Sequence, residues 1–329
     1  MKFSLHLHLI LTTYLAVILC NKCCHHKRHY SHCRICGYLC SQYHCSTQNI
    51  IYTYQCKLCH NSFCYFHYRC HQHSHIHHWN QNNITIYNPT THLKAIHPLP
   101  FLINRRAESI SLIQFIYFIG GRVTDQVFEF DVKTKKQNIR FPMLCAKYGH
   151  RLCSILDNIY AIGGYRSGAN LNDCQKYESK KNTWRKLPNL SYQRNYMATF
   201  VMNNAYIYIC FGKNVESFIE EKLNVNIAHN WEIVDVKCCN SQLQYIHGIQ
   251  ISETEALIFG GMTTNSYILK IVDKTIDMQK ACQYPTVGKL VYCSTPTSDG
   301  RNIYSIDRNK NINVYNIDSR KWSIAIVNN

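Results

Sequence analysis

The feature that most constrains this chain is a six-residue phrase that recurs through its second part. It reads IYFIGG at Ile116–Gly121 and IYAIGG at Ile159–Gly164. Looser copies begin at Ile207 (IYICFG), Ala256 (ALIFGG) and Ile303 (IYSIDR), so the starts at 116, 159, 207, 256 and 303 are 43, 48, 49 and 47 residues apart. A period in the forties, built from short β-branched and aromatic runs, describes four-stranded blades; helical repeats would carry a 3.6-residue pattern instead. The phrase lacks polar alternation because its strand is enclosed by neighbours on both faces. Its paired glycines permit positive φ and close backbone approach where the strand ends.

The second copy is the fullest. A strand-like run at Arg151–Leu156 precedes the phrase, and after a loop come Tyr177-Glu178, Trp184 seven residues beyond the tyrosine, and Leu187-Pro188. This order resembles a kelch repeat. The same tyrosine-to-tryptophan interval returns at Tyr315 and Trp322, and Ile84–Ile96 (ITIYNPTTHLKAI), with Pro100 and Arg105-Arg106 behind it, matches the second half of a repeat with Tyr87 in the Tyr177 place. The resemblance covers residues 84–329 and departs from the pattern where Phe211 and Asp307-Arg308 replace glycines. It implies an all-β fold, a kelch β-propeller of five full repeats plus an N-terminal half-blade, six blades together. Tyr177 and Trp184 then pack blade against blade. Closure is expected from pairing of Ile84–Ile96 with strands of the C-terminal end, since an open ring would leave bare strand edges.

Composition changes where the repeats begin. Residues 1–107 contain no Asp or Glu and ten Lys or Arg, with 14 of the 19 His before residue 79 and 11 of the 19 Cys before residue 71. The net charge of +17 divides into +10 and +7 at that point, which marks a domain boundary. A basic chain points to an acidic partner such as nucleic acid or an anionic membrane, although metal-bound thiolates would cancel part of the charge. The eight cysteines from Cys145 onward follow no framework spacing. They read as free buried thiols in a reducing compartment, hence a cytoplasmic protein.

Ahead of the repeats, residues 1–20 form a hydrophobic segment. Phe3–Cys20 is uncharged and follows Lys2; as a helix it would be about 27 Å long against a ~30 Å hydrocarbon core. Membrane anchor, signal peptide and neither of these stay open. Residues 21–32 are a basic His/Cys-rich linker. Residues 33–78 carry metal chemistry: Cys33-x2-Cys36, Cys56-x2-Cys59 and Cys64-x2-His67, then His75 and His78. Such knuckles place thiolates and imidazoles on tight turns within reach of tetrahedral Zn²⁺. Their order resembles the B-box, which holds two ions with interleaved ligands, and Cys56–His67 (CKLCHNSFCYFH) is its best-matching part. The 19 residues between Cys36 and Cys56 exceed the B-box spacing, so Cys40 and Cys45 are the alternative first pair. The implied cofactor is structural zinc, with every ligand from protein and no open position for an activated water; a disulfide scaffold and disorder are the competing readings. Trp79–Asn83 (WNQNN) reads as a polar joint.

In kelch domains the loops after the double glycine and those ahead of each first strand gather at one end and form a protein-binding face. Carried over, the first set is Arg122, Tyr165 and Arg166, and the second is Arg105, Arg106, Tyr148, His150, Arg151, Arg194, Tyr196, Tyr245 and His247. Arginine and tyrosine suit binding hot spots through bidentate pairing and large contact area. An arginine at the foot of a first strand has a second reading, as a bridge between blades. No G-x-S-x-G, Walker loop or Glu-bearing metal motif occurs. The resulting expectation is a noncatalytic protein-binding adaptor with the zinc module as a second surface; substrate reception in ubiquitin ligation is the usual inference for kelch proteins, without a BTB-type pattern in this sequence to accompany it. The alternative is RNA binding through the basic amino-terminal region, and a minor alternative is an enzyme of the copper oxidase type.

Overall fold

The computed structural model describes residues 76–329 apart from 81, 89–92, 214–219, 228, 238–242, 262, 273, 286–294, 308–310 and 326–329. They belong to one compact unit, Gln72–Asn329. The regular structure of the described residues is entirely strand, in six antiparallel meanders. The first is β1 (Ile76–Trp79), β2 (Asn83–Tyr87) and β3 (Lys94–Pro98); the second is β4 (Glu108–Leu112), β5 (Phe115–Ile119), β6 (Val127–Asp131) and β7 (Gln137–Arg140). The third is β8 (Arg151–Ile155), β9 (Asn158–Arg166), β10 (Ala169–Glu178) and β11 (Thr183–Lys186), and the fourth β12 (Ala198–Met202), β13 (Tyr206–Cys210), β14 (Glu220–Asn224) and β15 (Glu232–Lys237). The fifth is β16 (Ile246–Gln250), β17 (Glu255–Gly260), β18 (Ser266–Val272) and β19 (Thr275–Lys280), and the sixth β20 (Thr297–Ser298), β21 (Asn302–Ile306), β22 (Ile312–Asn316) and β23 (Lys321–Ile324). This arrangement fits a kelch β-propeller. Blades four and five are also joined at their outer strands, where β15 and β19 pair in parallel through Val236 and Ile276.

One register runs through the repeats. The first residue of the phrase faces the same position on the next strand in five blades: Ile116 opposite Phe130, Ile159 opposite Tyr177, Ile207 opposite Leu223, Ala256 opposite Leu269 and Ile303 opposite Tyr315. The outer strand then brings Trp184 opposite Tyr177 and Trp322 opposite Tyr315, with ring centroids 5.1 and 5.2 Å apart. Tyr177 and Trp184 are buried against Ile110, Leu112 and Tyr117 of blade two. Their burial against the neighbouring blade is the packing the repeat spacing demands. Two indoles also reach back one blade, Trp184 Nε1 donating to Phe141 O (3.0 Å) and Trp231 Nε1 to Pro188 O (2.9 Å). Trp231 is therefore the tryptophan of blade four.

Blade one departs from the expectation. Among the described residues Ile84–Ile96 pairs with no strand of the C-terminal end: β2 pairs with β1, which puts Ile76 opposite Tyr87 as Ile159 is opposite Tyr177. The segment Trp79–Asn83 is a hairpin turn rather than a joint, closed by Asn80 N donating to Asn83 O (2.9 Å), while Asn80 Oδ1 accepts from the backbone of Asn82 and Asn83. A strand a few residues upstream costs far less closure entropy than one more than 200 residues away. Among the described residues the first and last blades meet by side-chain packing, with Tyr87 of blade one buried among Tyr304, Ile306 and Ile312 of blade six. Ser109 on β4 collects the seam: His77 Nε2 lies 2.9 Å from its hydroxyl, Trp79 Nε1 donates to it, and Thr295 N donates to its carbonyl (3.2 Å).

Candidate functional site

Antiparallel meanders put the loops after second strands and those entering first strands at one end of the propeller. The turns between first and second, and third and fourth, strands lie at the other. At the loop end two tiers form. The inner tier starts with the second glycine of the phrase, whose N–H donates to the entry loop of the next blade: Gly121 to Lys147 O (3.1 Å), Gly164 to Arg194 O (2.9 Å) and Gly212 to Leu243 O (3.1 Å). The first glycine makes this approach possible. At Gly163, where φ is 58°, a Cβ would stand 2.6 Å from Arg194 O.

The cations of the same loops turn inward. Lys147 Nζ donates to Asp173 Oδ2 (2.7 Å), and Arg194, fully buried, donates to Glu221 Oε1 (3.0 Å) with Glu220 Oε2 3.6 Å away. Arg151 links four blades: its guanidinium donates to Glu108 Oε1 (2.9 Å), Met197 O (3.0 Å) and Ile246 O (3.2 Å). Burial lifts the Glu108 carboxyl to about 8, with Arg151 pulling it back, and lifts Glu220 to about 7, against Arg194. His150 and His247 are buried beside them and held well below the ordinary imidazole range, first by burial and then by nearby cations, Lys147 and Arg151 for His150 and Arg151 for His247. Both ring nitrogens of His150 lack a hydrogen-bond partner among the described residues. Arg151, Arg194, His150 and His247 are thus parts of the frame.

The outer tier is equally regular, with its arginines and Lys213 exposed, its tyrosines half-buried and Asn195 buried. In each of three blades the loop after the phrase donates to the entry loop: Arg122 N to Arg105 O (3.2 Å), Tyr165 N to Tyr148 O (2.7 Å) and Lys213 N to Asn195 O (2.9 Å). The Tyr148 and Tyr165 rings stand 5.3 Å apart, and the Arg106 guanidinium lies 4.8 Å over Tyr148. A left-handed residue precedes the first strand in blades two to five, filled by Arg106 (φ 66°), Gly149 (64°), Tyr196 (50°) and Tyr245 (59°). These are chained around the mouth by Tyr196 N donating to Gly149 O and Tyr245 N to Tyr196 O, both 2.9 Å, with the two tyrosine rings 4.5 Å apart. Arg105, Arg106, Arg122, Tyr148, Tyr165, Arg166, Tyr196 and Tyr245 therefore share one end, and its four arginines are exposed. Below the mouth is a channel cavity of about 210 Å³ lined by Arg151, His247, Ser111, Thr199, Thr297 and Gln250. At ~30 Å³ per water this has room for about seven solvent molecules.

No motif marks the residues that position the frame, Glu108, Lys147, Asp173, Glu220 and Glu221. The signal was register: Gln175 and Glu221 occupy one position, opposite Ala161 and Ile209, and accept from the backbone of Leu144 (3.0 Å) and Ser191 (2.7 Å) in equivalent loops. Of the expected zinc ligands, Cys33, Cys36, Cys56, Cys59, Cys64, His67 and His75 lie outside the described residues, and His78 stands on β1 opposite Thr85. Among the described residues no group of three His, Cys, Asp or Glu could hold a metal, and no helix is long and apolar enough to cross a membrane. Cys153, Cys174 and Cys210 are free and buried, and burial raises all three thiols, Cys174 to about 12.

The repeat reading meets known proteins at blade three. The family model for the Kelch motif matches residues 146–191, which contain β8 to β11. The chain is 30% identical over 94 residues to Kelch-like protein 38 of Homo sapiens, a stretch that is 26% of this chain and 16% of that protein. It is 26% identical over 94 residues to the Rattus norvegicus protein of the same name (26% of this chain, 16% of the relative) and 27% identical over 88 residues to that of Mus musculus (24% and 15%). The match therefore spans about a sixth of the length of these relatives. With the all-β meanders and their shared register, it supports a kelch-repeat protein.

Proposed function

We propose that this protein is a noncatalytic adaptor whose loop end captures a protein ligand. The observation that supports the reading is the outer tier, in which exposed arginines stand beside half-buried paired tyrosines on loops held by a buried frame of ion pairs and backbone bonds. A rigid scaffold under aromatic and arginine side chains lowers the ordering cost of binding. The Cys33–His78 segment is proposed to hold structural zinc and to offer a second interaction surface. The knuckle spacings support this, and filled coordination would leave the ion no catalytic position. Substrate reception in ubiquitin ligation is one form the adaptor role can take.

The test compares proteins captured by the full chain with those captured by a Tyr148→Ala/Tyr196→Ala/Tyr245→Ala variant, quantified by mass spectrometry. Ligands of the loop end should fall at least tenfold in the variant. Unchanged capture would move the interface elsewhere on the molecule. Elemental analysis of the full chain should find about two zinc ions, one of them lost in Cys59→Ser; zinc-free protein with paired thiols would replace the zinc module by a disulfide scaffold. RNA binding through residues 1–107 predicts a gel shift that weakens steeply with salt, and no retention at about 50 mM salt removes that alternative.

A further inference from the structure

The outer tier contains two arginines where its own pattern places facing partners. Arg105 and Arg122 occupy backbone positions joined by a hydrogen bond, the positions at which blade three has Tyr148 with Tyr165 and blade four Asn195 with Lys213. Like charges on paired positions repel. No carboxylate answers them: among the described residues neither arginine has an ion-pair partner, nor do the exposed Arg106, Arg166 and Lys213. The acids nearby are already committed below, Glu108 to Arg151, Asp173 to Lys147, and Glu220 and Glu221 to Arg194. In blades two to four these five loop cations are exposed, while Asp125 in the same loops is half-buried.

From this uncompensated pair we infer that the ligand of the loop end is an acidic polypeptide segment, with a side-chain carboxylate seated between Arg105 and Arg122 and the neighbouring residue on the Tyr148/Tyr165 shelf. Guanidinium groups match carboxylates bidentately, and exposed arginines fixed on bonded loops are arranged before the ligand arrives. The Arg106 contact with Tyr148 continues the cationic strip into the aromatic one, so charge and apolar area are offered side by side. The inference rests on the loop end being the protein-binding face and adds the chemistry of what it takes.

The experiment uses the full chain and fluorescein-labelled hexaglutamate, followed by anisotropy at low salt. Arg105→Glu/Arg122→Glu should weaken hexaglutamate at least tenfold, Arg105→Gln/Arg122→Gln several-fold, and Lys180→Glu/Lys181→Glu at the opposite end less than twofold. Melting curves accompany each variant, and the glutamine pair keeps the test valid if charge reversal disturbs folding. Equal weakening by the two reversals would reduce the effect to net charge and overturn the assignment, as would no effect of the arginine pair. A labelled oligouridylate whose affinity falls in parallel would show a phosphate-binding site and overturn the acidic-peptide class. If the tyrosine variant loses its captured proteins while the arginine pair leaves hexaglutamate untouched, the protein-binding face stands and the acidic ligand falls.

Discussion

At the loop end of the propeller the ion pairs lie inside and the cations outside, whereas at the turn end the ion pairs are themselves on the surface. Lys180 with Asp157, Lys181 with Glu178 (3.0 Å) and Arg320 with Glu255 (2.9 Å) neutralise the turn end in solvent, their basic side chains 81%, 63% and 53% exposed. Arg151 with Glu108 and Arg194 with Glu221 sit at 3% exposure or less. Exposed pairs are worth about 0–1 kcal/mol, while removing one member of a buried pair costs about 3–5 kcal/mol. The difference teaches a division of labour. Buried pairs fix the loops, so their remaining exposed arginines can face a ligand without being neutralised by the protein; the turn end needs no such framework and satisfies its charges locally.

Breaking the buried frame should have the largest effect. Arg194→Met leaves Glu220 and Glu221 uncompensated in the interior and is expected to cost about 3–5 kcal/mol in urea unfolding. Adding Glu221→Gln to it should return part of the loss. A cost below about 1 kcal/mol would make this pair equivalent to a surface one and remove the contrast between the ends.

Next is the backbone approach under the frame. Gly163→Ala places a Cβ against Arg194 O and Met197 Cε at a positive φ, with an expected cost of about 1–3 kcal/mol. Gly168, also at positive φ but with nothing within 4 Å, should cost about 1 kcal/mol or less as alanine. If the two substitutions cost the same in thermal melts, the inter-blade bond at Gly164 is not what the first glycine serves.

Protonation separates the ends more gently. His247 is buried and its folded pKa lies well below the ordinary value of 6.5, so as pH falls the unfolded chain takes up the proton first. The stability this neutral imidazole permits is present above about pH 6.5 and is lost below it, by about 1 kcal/mol between pH 7.5 and 5.5. Glu108 acts the other way, because its carboxyl is raised to about 8 and its contribution is lost as pH rises towards that value. The comparison must therefore be differential: wild type should lose about 1 kcal/mol more than His247→Gln across that interval. Parallel pH profiles would show that His247 is not held neutral.

How much of this could be read beforehand depended on whether the signal was local. The phrase marks a second strand in every full blade because enclosure on both faces favours apolar residues there, and Tyr177 with Trp184 marks the outer strands because two large rings must face each other. Blade one hid its second strand, since Ile76–Trp79 reads IHHW and its histidines look like metal ligands, yet His77 is buried against Ser109. Trp231 was hidden because Leu223 replaces the tyrosine that would announce it. At the loop end the residue types were legible but their tier was not. Arg151 and Arg166 look alike in sequence; what buries one is Glu108, 43 residues away, and what exposes the other is a hairpin tip.

The smallest effect belongs to the turn end and closes the comparison from the other side. Glu178 there is surrounded by Lys181, Lys176 (3.7 Å) and Arg185 (3.6 Å), and its carboxyl is held below the usual range chiefly by the hydrogen bond from Lys181. Removing Lys181 leaves two cations to replace it, and solvent screens all three, so Lys181→Ala should cost no more than about 0.5 kcal/mol. Salt distinguishes this from the loop end. At about 1 M ionic strength the screening length is about 3 Å, and the difference between wild type and Lys181→Ala should vanish, whereas the cost of Arg194→Met should persist because its partners are out of reach of the ions. A Lys181→Ala penalty above about 2 kcal/mol that survives 1 M salt would mean that the turn end, too, is held by its charges, and the loop end would lose its distinction.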